Sequence, residues 1–357
     1  MSLDVVALLE ALVRCPSPSG DEQAVAALLV ERLRTAGLAP ETDGRNVWVG
    51  VGDARRGPTL LLLSHLDTVP VGDGWTRPPL LAHREGERIY GRGSNDAKGC
   101  VAAMACALLA LDPAKLPGRV LLAAVAEEET GRPGGCADLL PRLGQVDAAV
   151  VGEPTGLVPV AAQKGRMVLE VTLSGRQAHA ARPEEGDNAA VRAARAVVAL
   201  DGLRFERRHP ELGPPTAQVT VLRAGERTNV IPGAATVTVD VRTTPDYTTA
   251  ELVSKIAGAC GHEARVRPVS DGAAARATPT TDPLLRLAAE VTGRAPVGSP
   301  TVSDWANLPA QLPAVKLGPG ESPRSHTPDE YVTTDELRRG VEVYRALAEK
   351  WLASQAR

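Results

Sequence analysis

Apolar residues recur at spacings of three and four from Asp4 to about Leu38, broken by a Pro/Ser/Gly stretch at 16–20. This pattern predicts two amphipathic surface helices joined by a turn. Short apolar runs then take over: NVWVGV at 46–51, TLLLLSH at 59–65, RVLLAAVA at 119–126 and DAAVVGE at 147–153 read as buried strands. The stretches 98–111 and 134–142 between them carry helical composition. Strand alternating with helix predicts an α/β domain, a mainly parallel sheet covered on both faces.

The period changes after Gln163. Residues 167–173 alternate apolar and polar as a half-exposed strand, 188–200 read as a helix, and 217–223 and 235–242 are alternating strands separated by an Asn-Val-Ile-Pro-Gly turn. A helix at 249–259 and a strand near 263–269 follow. The order β-α-β-β-α-β is that of a ferredoxin-like unit. It predicts a main domain begun by 1–163, an inserted α+β domain at 164–275, and a return to the main domain at 276–357. That return is read as a linker (ARATPTT, 275–281), a helix at 282–292, a loop, a strand at 313–317 and a helix at 334–354.

At 357 residues, 43% hydrophobic and 23% charged, the composition is that of an ordinary globular protein long enough for this division. The apolar runs are shorter than the ~18 residues a membrane helix needs. Acidic residues stand near the start where a signal peptide is basic, so the expected location is the cytoplasm. Cys15, Cys100, Cys106, Cys136 and Cys260 are odd in number, scattered and form no CxxC pair, which argues against a disulfide framework and a thiolate zinc site and reads as reduced core thiols. A net charge of −3 argues against a general nucleic-acid binder.

Histidine and grouped carboxylates carry the candidate chemistry. His65 and Asp67 end a strand in SHLDTVP, and Asp96 sits in the glycine-rich GRGSNDAKG before a helix. Glu127, Glu128 and Glu129 follow one strand, Glu153 ends another, and His326 lies in the late loop SPRSHTPDEY. In an open parallel sheet the ligand crevice lies beyond the carboxyl ends of the strands, where these groups fall. Each alone reads as well as a cap or a solvated side chain. Together, two imidazoles and several carboxylates make a donor set for Zn²⁺, Co²⁺ or Mn²⁺, and such a concentration of carboxylates is costly without cations among them. Glu127 and Glu129 of a regular strand point one way and Glu128 the other, so local bending decides which of them is the base.

The strings SHLDTVP, GRGSNDAKG, EEETG, GEPT, AHAARPEEGDN, TNVIPG and SHTPDEY, in this order along nearly the whole chain, resemble the di-zinc metallopeptidase family of acetylornithine deacetylase, succinyl-diaminopimelate desuccinylase, aminoacylase and carboxypeptidase G. The resemblance implies a zinc-hydrolase domain with an inserted dimerisation (lid) domain, two Zn²⁺ per subunit with Co²⁺ able to substitute, and a homodimer. It implies that His65 and Glu153 bind one metal, Glu129 and His326 the other, and that Asp96 bridges them. It makes Glu128 the general base and Asp67 the carboxylate that orients His65. His179 is similar to the family's histidine that reaches across the dimer interface to a tetrahedral oxyanion. Arg242 and Asn229 are similar to its contacts with the substrate carboxylate, and Ser303 and Asp304 to its pocket loop, from which Val302 and Trp305 depart; Ala97 stands where Met is frequent.

The compact length and motif wording resemble most the branch that releases lysine, and with it ornithine, from the γ-carboxyl of a terminal glutamate on a small acidic amino-group carrier protein in lysine biosynthesis. The alternative is N-acetylornithine deacetylase or succinyl-diaminopimelate desuccinylase activity. A non-catalytic, metal-stabilised dimeric binding protein is an alternative of another class, against which an unligated Glu128 argues. No GxSxG elbow, Walker loop, HExxH motif or dinucleotide fingerprint is present.

Overall fold

The structure, a computed structural model, describes residues 3–269 and 272–355. The chain divides into two compact units, Met1–Ala161 with Thr278–Val297 and Ser303–Arg357, and Ala162–Ala277 with Gly298–Val302.

In the first unit Thr59–His65 lies between Arg119–Val125 and Ala148–Val151, with Ala314–Lys316 beyond the latter, and these strands run parallel. Val47–Gly52 joins antiparallel on the outer side of Arg119–Val125. Side chains alternate between two dry faces. Leu60, Leu62, Val120 and Leu122 face a core built with the helices Val5–Val13, Lys98–Leu109 and Thr334–Gln355, whereas Leu61, Leu63, Leu121 and Val125 face Cys136, Leu139 and Trp305. Burial on both faces is why these strands read as unbroken apolar runs. Asp4 caps the first helix, its carboxylate accepting from the Ala7 N–H at 2.8 Å. Parallel strands share one carboxyl-terminal rim, so the residues after His65, Val125 and Val151 emerge side by side.

A small antiparallel sheet of His83–Glu85, Arg88–Tyr90 and Tyr331–Thr333 was not foreseen, because three-residue strands are too short to show a period. Its register pairs Tyr90 with Tyr331. The chain leaving Tyr90 toward Asp96 and the chain arriving from His326 therefore meet at the same end of the ribbon.

The second unit is a four-stranded antiparallel sheet in the order Thr216–Ala224, Ala234–Thr243, Gly165–Ser174, Ala264–Pro268. Helices Ala189–Asp201 and Thr249–Cys260 pack on the face formed by Leu169, Val171, Val237 and Val239, and the other face carries Arg166, Glu170, Asp240 and Arg242. Asn188 caps the first helix, and Thr248 with Glu251 forms a capping box on the second. The 275–281 stretch is not plain linker: Arg276–Ala277 pairs with Gln163 and Ala162, tying the ends of this unit together. No helix among the described residues is long and apolar enough to cross a membrane.

Candidate metal centre and active site

His65 is the last residue of its strand and is fully enclosed, 1% exposed. Its Nδ1 lies 3.0 Å from the Asp67 carbonyl and 3.5 Å from an Asp67 carboxylate oxygen, and its Nε2 lies 3.2 Å from Asp96 Oδ1. The Asp67 carboxylate also accepts from Ser19 Oγ at 2.6 Å and from the backbone N–H groups of Glu128 and Glu129, each at 3.1 Å. One buried carboxylate thus fixes both the His65 ring and the start of the glutamate loop, as outer partners of a metal-ligand histidine do.

His326 reaches the same place from the late loop. Its Nε2 is 2.9 Å from Glu129 Oε1 and 3.5 Å from Asp96 Oδ2. Asp96 therefore spans the two imidazoles, one oxygen toward each. His65, Asp96 and Glu129 offer ligand atoms that all lie within 4.8 Å of one another. His326 has φ +62° and Asp329 φ +54°, a left-handed backbone that side-chain-bearing residues adopt only when surroundings hold it. The hold is visible at Asp329, whose carboxylate accepts from the Thr76 N–H at 3.0 Å and the Arg77 N–H at 3.1 Å.

Glu153 follows Ala148–Val151 through Gly152, where an added Cβ would meet Met104 Cε at 2.7 Å and Cys100 Cβ and Ser64 Cβ at 3.0 Å. Glycine lets that strand end close against the His65 strand and the helix after Asp96. Glu153 is outside the 4.8 Å group but within its field: burial pushes its carboxyl up to about 8, with Asp96 adding to the shift. Burial likewise pushes Glu128 well above the ordinary carboxylate range, and Glu153, Asp304 and Glu129 add to it against the pull of His65. Burial opposes charge on His65 too, yet Asp67 and Asp96 hold its pKa well above the usual value. Burial of Glu128 and Glu153 disfavours their charge, a cost that a cation among them relieves, and the N/O donors are those a zinc-type ion takes. The residues fit such a metal.

The three consecutive glutamates separate because Glu127 adopts φ +59°, ending strand alternation. Its carboxylate turns to Arg45 Nη1 at 2.9 Å and Thr130 Oγ1 at 2.6 Å, and Glu22 braces the same guanidinium at 3.3 Å. The backbone N–H groups of Glu128 and Glu129 are left facing Asp67, and the Glu129 carboxylate reaches His326. Asp304 is buried, with Oδ1 accepting from Asn307 Nδ2 at 2.8 Å and Oδ2 unpartnered, and burial raises its carboxyl to about 6. Ser303 caps the turn that starts there. Trp305, a departure from the family's pocket loop, packs into the core beneath the sheet.

The other candidates lie in the second unit. His179 is exposed on the two-stranded ribbon Ala178–His179 and Val230–Ile231, and the backbone there brings it near Asn229, whose carbonyl accepts from the Ala180 N–H at 2.9 Å. Its Nδ1 accepts from the Ala181 N–H at 3.0 Å, so the neutral ring carries its proton on Nε2. Arg242, near the end of Ala234–Thr243, gives Nε to Asp240 at 2.9 Å. Sequence reasoning missed the supporting groups Glu22, Arg45, Ser19 and Glu330. Of these only Glu330 stands inside one of the family-like strings, SHTPDEY.

The sequence profile of peptidase family M20/M25/M40 matches residues 61–350. An acetylornithine deacetylase of Myxococcus xanthus is 33% identical over 310 residues, 81% of this chain and 79% of that protein. A succinyl-diaminopimelate desuccinylase of Novosphingobium aromaticivorans is 32% identical over 374 residues, 97% of this chain and 98% of that one. The crystal structure of a dinuclear metal-binding M20 peptidase from Bacillus subtilis superposes with a TM-score of 0.77 at 16% identity, covering 98% of each chain. With its paired units, its rim of strand-end donors and its His/Asp/Glu cluster, the chain belongs to peptidase family M20/M25/M40 and is a zinc-dependent hydrolase of amide and peptide bonds.

Proposed function

We propose that the protein removes an acyl group from the amino nitrogen of a small amino acid of the ornithine or diaminopimelate kind, using two divalent cations. The carrying observation is the placement of Asp96 between His65 and His326, with the Glu128 backbone held on the Asp67 carboxylate that also meets His65. In this reading His65 and Glu153 would hold one cation and Glu129 and His326 the other, with Asp96 contributing to both; zinc would be the resident metal and cobalt an adequate substitute. When bound, the pair supplies an acidified water and polarises the scissile carbonyl. Glu128 then accepts the proton of the attacking water on its carboxylate and returns it to the departing amine. Asp67 keeps the His65 ring in place throughout.

The related proteins named above act on N-acetylornithine and succinyl-diaminopimelate, which favours these small substrates over a lysyl carrier protein. Purified protein loaded with zinc or cobalt is to be offered N-acetylornithine, N-succinyl-diaminopimelate, dipeptides and an amino-group carrier protein bearing γ-linked lysine, with amine release followed. The expected result is turnover of an N-acyl amino acid. Release from the carrier alone would replace this substrate assignment with lysine or ornithine release, and no hydrolysis with metal bound would leave a binding protein.

His179 is assigned to the oxyanion of a neighbouring subunit, its Nε2–H donating there. Two features of the second unit support a homodimer. Thr216–Ala224 is an edge strand with Val221 and Leu222 exposed, and Val191 and Val198 are exposed on the helix beside it. A second copy covers that edge. Mixing inactive His179→Ala with inactive Glu128→Ala chains is expected to restore part of the activity, since one mixed subunit pair then has a complete site. Absence of recovery despite demonstrated subunit exchange would exclude the trans role. Arg242 and Asn229 are assigned to the substrate carboxylate, the former as a bidentate donor, and Ser303 and Asp304 to the pocket wall.

A further inference from the structure

We propose that Glu330 is a positioning residue for the metal bridge: it fixes the Asp96 backbone against the His326 loop and so sets the affinity for the second cation. The inference rests on the two-cation reading above. Glu330 is 1% exposed, and its Oε1 accepts from two successive backbone N–H groups, those of Asn95 and Asp96, each at 3.0 Å. Its Oε2 accepts from Arg92 Nη1 at 2.5 Å, and its backbone carbonyl from the Gly91 N–H at 2.9 Å. Asn95 completes the tie on the other side of His326, donating from Nδ2 to Ser325 Oγ at 3.1 Å and accepting at Oδ1 from the Glu321 N–H at 2.9 Å. The loop that carries the bridging carboxylate is thus bound to the loop that carries His326 both before and after that histidine.

A stabilising role alone does not account for this arrangement. Exchanging a buried ion pair for apolar side chains is often neutral or favourable to stability, so the Arg92–Glu330 pair is poorly explained as a staple. An apolar replacement cannot do what Glu330 does here, which is to satisfy the Asn95 and Asp96 amides while the Asp96 side chain reaches the two imidazoles. His326 and Asp329 both sit in left-handed backbone, so the loop needs external fixing to keep its imidazole on Asp96 and Glu129.

The test titrates zinc into the metal-free protein by calorimetry and compares wild type with Glu330→Gln, whose amide presents a donor to one of its two sets of donors. Wild type is expected to take two equivalents; a single equivalent in wild type overturns the two-cation reading whatever the variant does. Glu330→Gln is expected to keep one tight equivalent and to bind the second about 10–100-fold more weakly, the usual effect of removing a partner that orients a metal ligand. The metal-induced rise in Tm should shrink with it, whereas a merely structural role lowers Tm equally with and without metal. Two equivalents at wild-type affinity overturn the inference. Glu330→Asp, which keeps the charge beside Arg92 but is one methylene short of the Asn95 and Asp96 amides, carries the same comparison if the glutamine variant does not fold. Hydrogen exchange on metal-free wild type needs no variant: the Asn95 and Asp96 amides are expected to be protected, and exchange at exposed-loop rates overturns the assignment.

Discussion

Asp96→Ala is expected to lower kcat/KM by on the order of 10³-fold or more, because several kcal/mol of metal-derived stabilisation of the transition state is forfeited at about 1.4 kcal/mol per factor of ten. Among the described residues Asp96 is the side chain whose two oxygens approach both imidazoles, at 3.2 Å to His65 and 3.5 Å to His326. Removing it leaves Asp67 on His65 and Glu129 on His326, with the carboxylate that reaches both imidazoles gone. Asp96→Asn keeps the volume and one oxygen, and is expected to retain partial metal binding with a smaller loss of rate. Because Glu330 holds the Asp96 backbone independently of its side chain, both variants are expected to fold, which circular dichroism checks. Metal content per chain after dialysis against trace zinc is the deciding measurement. An alanine variant with wild-type metal content and more than a tenth of the activity would sink the bridging role.

How much of this was legible in the chain depends on whether a residue's signal is local. The parallel sheet was readable because burial on both faces leaves an unbroken apolar word such as TLLLLSH, and the inserted unit because burial on one face leaves alternation, as in 167–173. The candidate donors His65, Asp96, Glu129 and Glu153 stand out in the chain because each sits near the end of such a strand or in a glycine-rich loop, whereas His326 stands out only as a histidine in a chain with six. What was not readable is long-range pairing. Glu22 and Arg45 brace Glu127 from the amino-terminal region, and Glu330 grips Asn95 and Asp96 across more than two hundred positions; nothing near any of them in sequence marks the partner. The small sheet that aligns Tyr90 with Tyr331 was invisible for the same reason, its strands being too short for a period and its partners far apart. The parity of the glutamates also lay beyond a pattern argument, since the left-handed turn at Glu127 is a single-residue event with no composition of its own.

That turn carries the other large prediction. Glu128→Gln is expected to lower kcat by about 10²–10⁴-fold, the usual contribution of a general base, while metal content stays at the wild-type level. Glutamine matches the shape of the side chain but does not take up the water's proton. Burial and the surrounding carboxylates disfavour charge on Glu128, so the neutral amide is expected to leave Tm unchanged or slightly higher, the pattern of a residue kept for chemistry at some expense of stability. Glu127→Gln is the matched contrast. Its carboxylate is engaged with Arg45 and Thr130 rather than with the cluster, so the variant is expected to lose stability while kcat falls less than tenfold. Measuring kcat, zinc content and Tm for the two variants side by side separates the roles. A Glu127→Gln enzyme as inactive as Glu128→Gln, or a Glu128→Gln enzyme with a tenth of wild-type turnover, would move the base away from Glu128.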